Sequence, residues 1–185
     1  MTLPTTVETP QDVADVVVKP RVVLVGPPGA GKTTIGRRLS HALNCGLVDS
    51  DQLIEQSEGR RCGEVFSELG EEKFRDIEAL HVAEALKTDG VVSLGGGAVL
   101  TESTRANLQR HIVVLVDVSA EEGARRTAID NSRPVLVADD PVEHYRQLLE
   151  ARKEFYREVT DFRVRTDGRS PQQVVGDILG YLDTL

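Results

Sequence analysis

The sequence predicts an α/β fold, a three-layer α/β/α sandwich with a five-stranded parallel sheet in its middle layer. Three observations predict this class. Short β-branched segments alternate with helical segments along the chain, and such alternation favours parallel strands joined by crossover helices. A glycine-rich loop at residues 26–33 joins the first strand to the first helix. The 185 residues show no internal repeat or low-complexity segment, so they suit one domain of ordinary size.

The strands are predicted from short apolar runs that end in polar or glycine-rich segments. Parallel strands are covered by helices on both faces, so they read as continuous apolar runs rather than as alternating ones. The first of them, residues 21–25, has the sequence RVVLV. The five predicted strands are residues 21–25, 46–49, 91–94, 112–118 and 162–164.

The helices are predicted from apolar residues that recur at helical spacing. In the first helix, Ile35 and Leu39 share one face. In the last helix, Pro171 stands in the first turn, where a missing N–H costs nothing, and Ser170 precedes it as N-cap. The eight predicted helices are residues 34–43, 51–58, 62–68, 70–87, 101–109, 119–129, 141–159 and 171–183.

Composition narrows the class of protein. The net charge of −8 argues against general affinity for nucleic acid or an anionic membrane, and no apolar run approaches the about 18 residues of a membrane span. Cys45 and Cys62 are far apart without metal-binding spacing, so we expect reduced thiols in a cytoplasmic protein. The first 20 residues lack a basic start and a long apolar block, so we do not expect a secretory signal there. We expect residues 1–19 to be a poorly ordered extension of a single domain at 20–185.

The loop at residues 26–33 reads GPPGAGKT and matches the phosphate-binding pattern Gly-x4-Gly-Lys-[Ser/Thr] at every fixed position. Its glycines let backbone N–H groups turn toward an anion, and the following helix adds its partial positive charge. Lys32 can reach the β- and γ-phosphates, and the Thr33 hydroxyl can ligate Mg²⁺. A chance glycine-rich turn, the alternative, would not explain the flanking strand and helix. The motif therefore predicts nucleoside triphosphate binding.

Two carboxylates, Asp49 and Asp51, follow the second predicted strand. Ligands of open α/β sheets lie at the carboxyl ends of the strands, and residues two apart leave a strand on the same face. The pair is therefore predicted to hold water molecules of Mg²⁺ and to orient an acceptor hydroxyl. The alternative is that Asp51 caps the following helix, which would account for one carboxylate but not for both.

Arginines stand at positions where charge is unexpected. Arg152 interrupts the apolar stripe of the seventh helix, and Arg75 lies on the fourth helix, three residues before Glu78. A structural ion pair, or a side chain that extends to solvent, is the common explanation for either arginine alone. Together with Arg133, in an acidic protein, they predict a local basic cavity for a phosphate or a substrate carboxylate.

Two further segments are predicted to be functional. The third strand ends in Gly95-Gly96-Gly97, which indicates that a ligand approaches the backbone closely, with a simple turn as the alternative. Residues 130–140 are polar and loop-like, with Arg133 in the middle. A long irregular segment within a compact domain is often functional, so we predict a lid.

The ordered set of these motifs resembles the bacterial shikimate kinases, over about residues 21–182. The motifs that carry the resemblance are Gly-x4-Gly-Lys-Thr-Thr, Asp49-Ser50-Asp51, Phe66 with Phe74-Arg75, Leu94-Gly95-Gly96-Gly97, Arg133-Pro134-Val135-Leu136 and Tyr145-x6-Arg152. The resemblance implies a fold like that of the P-loop nucleoside monophosphate kinases, with a substrate-binding section at about 50–78 and a mobile lid at about 128–140. It implies a monomeric transferase of aromatic amino-acid biosynthesis that passes the γ-phosphoryl group of ATP to the 3-hydroxyl of shikimate.

The resemblance also implies an ATP site at matching positions. Lys32 and Arg133 would act on the transferring phosphoryl group, while Thr33 and, through water, Asp49 would hold Mg²⁺. Arg126 would stack on one side of adenine. The implied ATP-binding residues are Gly29, Ala30, Gly31, Lys32, Thr33, Thr34, Arg126, Arg133, Arg169 and Pro171, the last two on the other side of the base.

For the shikimate site, the resemblance implies that Asp51 contacts the acceptor hydroxyl as base or orienter and that Arg75 and Arg152 grip the carboxylate. The implied shikimate-binding residues are Asp51, Phe66, Phe74, Arg75, Gly95, Gly96, Gly97 and Arg152. The N-terminal extension and the lid sequence Asp130-Asn131-Ser132 depart from the family pattern. Two other functions stay open on the residues alone: another small-molecule kinase, for gluconate or a nucleotide, and a non-enzymatic nucleotide switch.

Overall fold

The central layer of the molecule is a five-stranded parallel sheet with strand order β2-β3-β1-β4-β5. A computed structural model describes residues 17–129 and 139–185. The strands are β1 (Val22–Val25), β2 (Leu47–Asp49), β3 (Val91–Ser93), β4 (Val113–Asp117) and β5 (Phe162–Arg165). The predicted fold class is therefore confirmed, and each strand begins and ends within one residue of its predicted bounds.

Helices cover both faces of this sheet. They are α1 (Lys32–Ala42), α2 (Ser50–Glu58), α3 (Cys62–Leu69), α4 (Glu71–Ala85), α5 (Glu102–Leu108), α6 (Ala120–Ile129), α7 (Pro141–Val159) and α8 (Pro171–Leu182). A short 3₁₀ turn at Ala98–Leu100 was not predicted. Helix α1 begins two residues earlier than predicted, because Gly31 adopts a left-handed conformation (φ 99°) and serves as its N-cap.

The sheet separates two apolar cores, and β1 contributes to both. Val22 and Leu24 face the core that is closed by α1, α6, α7 and α8, whereas Val23 and Val25 face the core that is closed by α4, α5 and α7. All four side chains are at most 1% exposed. Burial on both faces explains the continuous apolar run in the sequence and fixes where the chain leaves β1 to form the glycine loop.

Helices α2, α3 and α4 share a third, smaller core, centred on Ile54, Val65 and Phe74. It corresponds to the predicted substrate-binding section at 50–78. Gly70, with φ of 83°, ends α3 and starts α4, and this conformation is one that glycine adopts readily. The section is therefore packed by its own side chains beside the carboxyl edge of the sheet.

Some sequence-based expectations lie outside the described residues. They are Arg133, most of the predicted lid and residues 1–16 of the predicted extension. Residues 17–19, the described end of that extension, are exposed and belong to no helix or strand. Over residues 17–129 and 139–185, no helix is both long and apolar enough to cross a membrane.

Gly123→Ala is expected to destabilise the fold, since a β-carbon there would lie 2.3 Å from Cζ of Tyr145, which is fully buried. The ring has no room to move, so we expect a loss of about 1–3 kcal/mol in the free energy of unfolding, measured by urea denaturation. Gly176→Ala is the matched control. A β-carbon at Gly176 on α8 meets no atom within 4 Å, so this variant should gain about 0.5–1 kcal/mol. Equal effects of the two variants would contradict the packing argument.

Candidate active site

A cleft of about 180 Å³ lies at the carboxyl ends of β1, β2 and β3. This edge of an open parallel sheet is where ligands bind in α/β proteins. Its lining residues are Gly29, Gly31, Lys32, Thr33, Thr34, Asp49, Asp51, Ser93, Leu94, Arg126 and Thr127. The structure thus brings together the glycine loop, both predicted carboxylates and one of the predicted adenine-binding arginines.

The glycine loop is held in a conformation that few other residues would adopt. Gly29 and Gly31 have φ values of 76° and 99°, in the region that β-carbons disfavour. The N-cap of α1 is Gly31, so no side chain of the N-cap residue accepts a hydrogen bond from the first N–H groups of the helix. The amide dipoles of that helix therefore point into the cleft, where their partial positive charge favours a phosphate group.

Lys32 lies across the loop and is only 8% exposed. Its Nζ donates hydrogen bonds to the carbonyl oxygens of Gly26 at 2.7 Å and Pro27 at 3.0 Å. The ammonium group is thereby held at the mouth of the anion-binding loop. The loop carbonyls fix its position, so a negatively charged ligand meets a charge that is already in place.

Asp49 connects the loop to α2. One carboxylate oxygen accepts from the backbone N–H groups of Asp51 and Gln52 at 2.9 and 3.3 Å, and the other accepts from the Thr33 hydroxyl at 3.2 Å. Asp49 is therefore the N-cap of α2, so the alternative that Asp51 caps this helix is wrong. Asp51 lies in the first turn of the helix rather than at the end of a strand, and it faces the same cleft.

The glycine triplet after β3 lies in a crowded place. A β-carbon at Gly95 would lie 2.5 Å from Oδ1 of Asp51, and one at Gly97 would lie 2.3 Å from a guanidinium nitrogen of Arg75. At Gly96 it would lie 2.9 Å from the ring of Pro28 in the glycine loop. The backbone also forms a turn here, because the Ala98 N–H donates to the Gly95 carbonyl at 3.1 Å. Charged side chains from α2 and α4 approach this turn closely, and the approach of a ligand stays a prediction.

Arg75 is held by a carboxylate and two aromatic rings. It donates to Glu78 at 2.7 Å, and its guanidinium lies 5.9 and 5.4 Å from the ring centres of Phe66 and Phe74. Glu78 is 2% exposed, and burial raises the pKa of its carboxyl, against the opposing effect of Arg75. Within the described parts of the chain, Nε of Arg75 has no hydrogen-bond partner. The predicted pairing with Glu78 is confirmed.

Helix α7 carries Arg152 between two buried tyrosines. Arg152 is half-buried and has no carboxylate within ion-pair distance among the residues described. One of its terminal nitrogens lies 3.5 Å from the β-carbon position at Gly96. The tyrosine hydroxyls contact the two loops, since Tyr145 donates to the Pro28 carbonyl at 2.6 Å and Tyr156 donates to the Gly96 carbonyl at 2.7 Å.

Arg126 is fixed at the back of the glycine loop. Its guanidinium contacts Glu122 at 2.9 Å, Thr166 at 2.9 Å and the carbonyl oxygens of Gly29 and Ala30 at 3.3 Å. The other predicted adenine-binding residues lie outside the lining of the cleft. Arg169 pairs with Asp177 at 2.7 Å, and Pro171 is the first residue of α8.

Sequence reasoning missed several residues of this site. Thr127 lines the cleft, and Thr166 donates to the Ala30 carbonyl at 3.1 Å. Tyr145 was recognised only as part of the motif Tyr145-x6-Arg152, and no role was predicted for Tyr156, although both hydroxyls contact the loops. The signal that could have found them is the use of tyrosine rather than phenylalanine at buried positions, since a buried hydroxyl needs a partner.

Among the described residues, no group of three or more His, Cys, Asp or Glu side chains forms a metal-binding cluster. The Thr33 hydroxyl and the Asp49 carboxylate are nevertheless adjacent at the floor of the cleft. One hydroxyl and one carboxylate are too few to hold a metal ion alone. They match the incomplete ligand set with which proteins hold Mg²⁺ when water and substrate phosphates supply the remaining ligands.

Comparisons with known proteins agree on one family. Residues 28–183 match the family model described as "SKI: Shikimate kinase". A relative named Shikimate kinase, from Corynebacterium efficiens, is 69% identical over 165 residues, which cover 89% of this chain and 98% of the relative. A solved structure, "Shikimate kinase from Acinetobacter baumannii in complex with shikimate", has a TM-score of 0.85 and 34% identity, and the match covers 90% of this chain and 94% of that one.

Variants of Asp49 should separate its structural role from its charge. Asp49→Ala removes the acceptor for two backbone N–H groups of α2, so we expect a loss of about 1 kcal/mol in the free energy of unfolding. Asp49→Asn retains an acceptor that caps nearly as well and should stay within about 0.5 kcal/mol of wild type. Urea denaturation of both variants tests this. A stable Asp49→Ala variant would show that the cap contributes little.

Proposed function

Because the chain belongs to the shikimate kinase family, we propose that the cleft holds the phosphates of ATP and that the adjoining space around Gly95–Gly97 holds shikimate. The reaction of the family transfers the γ-phosphoryl group of ATP to the 3-hydroxyl of shikimate and yields shikimate 3-phosphate and ADP. The observation that carries the proposal is the position of Asp51, which lies between the phosphate loop and the pocket of Arg75 and Arg152.

On the ATP side, the backbone of the glycine loop and the start of α1 bind the phosphates. Gly29, Gly31 and Thr34 line this part of the cleft, and Ala30 is buried beneath it. Lys32 exchanges its loop carbonyl partners for phosphate oxygens and neutralises charge on the γ-phosphoryl group. Arg126 lines the cleft, and its stacking on adenine stays a prediction from the family resemblance. Contacts of Arg169 and Pro171 with adenine, and of Arg133 with the phosphoryl group, remain predictions from the family resemblance.

Mg²⁺ belongs to this proposal as the companion of ATP. Thr33 would ligate it directly, and Asp49 would hold one of its water molecules. When bound, the ion neutralises the charge of the β- and γ-phosphates. The hydrogen bond between Thr33 and Asp49 supports this assignment, because it shows the two oxygens adjacent at the phosphate end of the cleft.

On the shikimate side, Arg75 and Arg152 grip the carboxylate. Both guanidinium groups lie against the glycine triplet, Arg75 over Gly97 and Arg152 beside Gly96. A planar guanidinium can donate two parallel hydrogen bonds to a carboxylate. Glu78 holds Arg75 from behind, and Phe66 and Phe74 supply the apolar wall beside it.

Transfer then depends on the position of the 3-hydroxyl between Asp51 and the γ-phosphorus. The Asp51 carboxylate accepts or orients the hydroxyl proton, so that the oxygen attacks the γ-phosphorus in line with the oxygen that bridges the β- and γ-phosphates of ATP. The new P–O bond forms as the bond to ADP breaks, while Lys32 stabilises the charge that moves onto the leaving oxygen. Positioning and charge neutralisation thus supply most of the catalysis.

A cytoplasmic location and a monomeric state complete the proposal. The use of ATP and the two free thiols, Cys45 and Cys62, support the cytoplasmic location. The monomeric state stays a prediction from the family resemblance, as does the division into an extension at 1–19 and a single domain at 20–185. Sedimentation of the full-length chain tests the monomeric state.

A substrate panel tests the proposed reaction. Steady-state ADP production should give a kcat/KM for shikimate at least about a hundredfold above those for quinate, gluconate or a nucleoside monophosphate, because only shikimate meets both arginines and Asp51 correctly. Lys32→Ala is the negative control and should nearly abolish turnover at an unchanged melting temperature. A preference for gluconate or for a nucleotide would identify a different small-molecule kinase, and no turnover with any acceptor would favour a nucleotide switch.

Arg152→Lys tests the carboxylate grip. Lysine keeps the charge but not the planar fork, so KM for shikimate should rise about ten- to a hundredfold while KM for ATP changes little. Arg157→Lys is the matched control, since Arg157 lies on the same helix and pairs only with exposed Glu154 among the described residues. An unchanged KM for shikimate with a lowered melting temperature in Arg152→Lys would assign this arginine a structural role.

A further inference from the structure

Two tyrosines of α7 donate hydrogen bonds to the two loops that form the site. Tyr145 donates to the Pro28 carbonyl of the phosphate loop at 2.6 Å, and Tyr156 donates to the Gly96 carbonyl of the glycine triplet at 2.7 Å. Both acceptors are backbone atoms, and both tyrosines are at most 4% exposed. These bonds join parts of the chain that are 117 and 60 residues apart in sequence.

The spacing of these residues places them along one line of the helix. With 3.6 residues per turn, Tyr145, Arg152 and Tyr156 fall within an arc of roughly 40° around the helix axis, and the tyrosines are about 16 Å apart along it. Arg152, the proposed carboxylate ligand, therefore stands between the two hydroxyl donors. A helix with intact backbone hydrogen bonds is stiff over this length, so the three side chains keep fixed relative positions.

The two loops also touch each other beside this line. A β-carbon at Gly96 would lie 2.9 Å from Cδ of Pro28, and 3.5 Å from a terminal nitrogen of Arg152. The Tyr145 ring is fixed in turn by α6, where a β-carbon at Gly123 would overlap it. The loops are thus confined between each other and α7. A shift of either carbonyl would cost a buried tyrosine hydroxyl its acceptor within residues 17–129 and 139–185.

We propose that Tyr145 and Tyr156 are positioning residues which set the distance between the two substrates, Tyr145 through the phosphate loop and Tyr156 through the glycine triplet and Arg152. In-line transfer tolerates little error in this distance, since small displacements of reacting groups lower rates strongly. Neither hydroxyl touches a substrate in this assignment. Each acts through the backbone that binds one. This inference rests on the proposed function, because it assigns ATP to one loop and shikimate to the other.

The state of the hydroxyls agrees with a donor role. Burial raises the pKa of Tyr156 to about 12, although the adjacent Arg152 opposes the shift. Burial also raises the pKa of Tyr145 above its ordinary value. Both hydroxyls therefore keep their protons at the pH of the cell and can donate to the loop carbonyls.

The test uses three variants of the full-length protein, each of which loses one hydroxyl. Tyr156→Phe should raise KM for shikimate about three- to tenfold and change KM for ATP less than twofold, as expected for one neutral hydrogen bond. Tyr145→Phe should raise KM for ATP about three- to tenfold and change KM for shikimate less than twofold. It should also weaken ADP binding about three- to tenfold, as measured by calorimetry. Tyr181→Phe is the matched control, because Tyr181 stacks on Phe162 at 4.5 Å, away from the site; all its constants should be those of wild type.

The pattern across the variants decides the inference. Lowered melting temperatures with unchanged constants, or equal changes in both KM values, would overturn it and leave the tyrosines as core residues. Failure of the proposed function looks different, since the wild-type protein would then not phosphorylate shikimate. In that case ADP binding and amide hydrogen exchange of each loop still decide the inference. Tyr145→Phe must speed exchange at residues 29–33 alone, and Tyr156→Phe must speed exchange at residues 94–98 alone.

Discussion

Strand β1 is completely buried between two layers of helices, and this burial fixes the position of the sheet and of the site at its edge. Its four residues are at most 1% exposed, and its neighbours β3 and β4 pair with it over three residues each. The strand cannot shift without exposing apolar surface on one face or breaking hydrogen bonds on its edges. The glycine loop that follows therefore starts from a fixed point. Gly26, the first residue of this loop, packs closely against β4, since a β-carbon at Gly26 would lie 2.1 Å from the Val116 carbonyl oxygen.

An acidic protein binds anions here because its positive charges are concentrated and held in place. The chain has a net charge of −8, yet the cleft and its neighbouring pocket contain Lys32, Arg75, Arg126 and Arg152. Three of these cations are fixed by protein acceptors, Lys32 by loop carbonyls, Arg75 by Glu78, and Arg126 by Glu122 and Thr166. Fixed charges require little reorganisation when a phosphate or a carboxylate arrives, and this is the form of electrostatic stabilisation that contributes most in catalysis.

At Glu78, the cost of burying a carboxylate is set against its ion pair with Arg75. Its carboxyl is buried and its pKa is raised by desolvation, with Arg75 opposing the rise. A buried charge of this kind is costly unless it is paired. The pair keeps Arg75 in one orientation against Gly97 while leaving part of its guanidinium for a ligand. Glycine at position 95 leaves room for the Glu78 carboxylate, since a β-carbon at Gly95 would lie 2.9 Å from one of its oxygens.

The amino-acid sequence alone was enough to predict the fold class, the order of strands and helices, the phosphate loop and the charged residues at the carboxyl edge of the sheet. These features depend on short-range patterns, on apolar spacing over a few residues and on a motif of eight, and such patterns can be read without a structure. The partners that individual side chains contact could be identified only from the three-dimensional packing. It made Asp49 rather than Asp51 the cap of α2, and it placed Arg126 against the carbonyls of Gly29 and Ala30. It also brought Tyr145 to Pro28 and Tyr156 to Gly96 across 117 and 60 residues. The physical reason is that a hydrogen bond needs atoms within about 3 Å, and for residues so distant in sequence that proximity arises only from the packing of whole helices on the sheet.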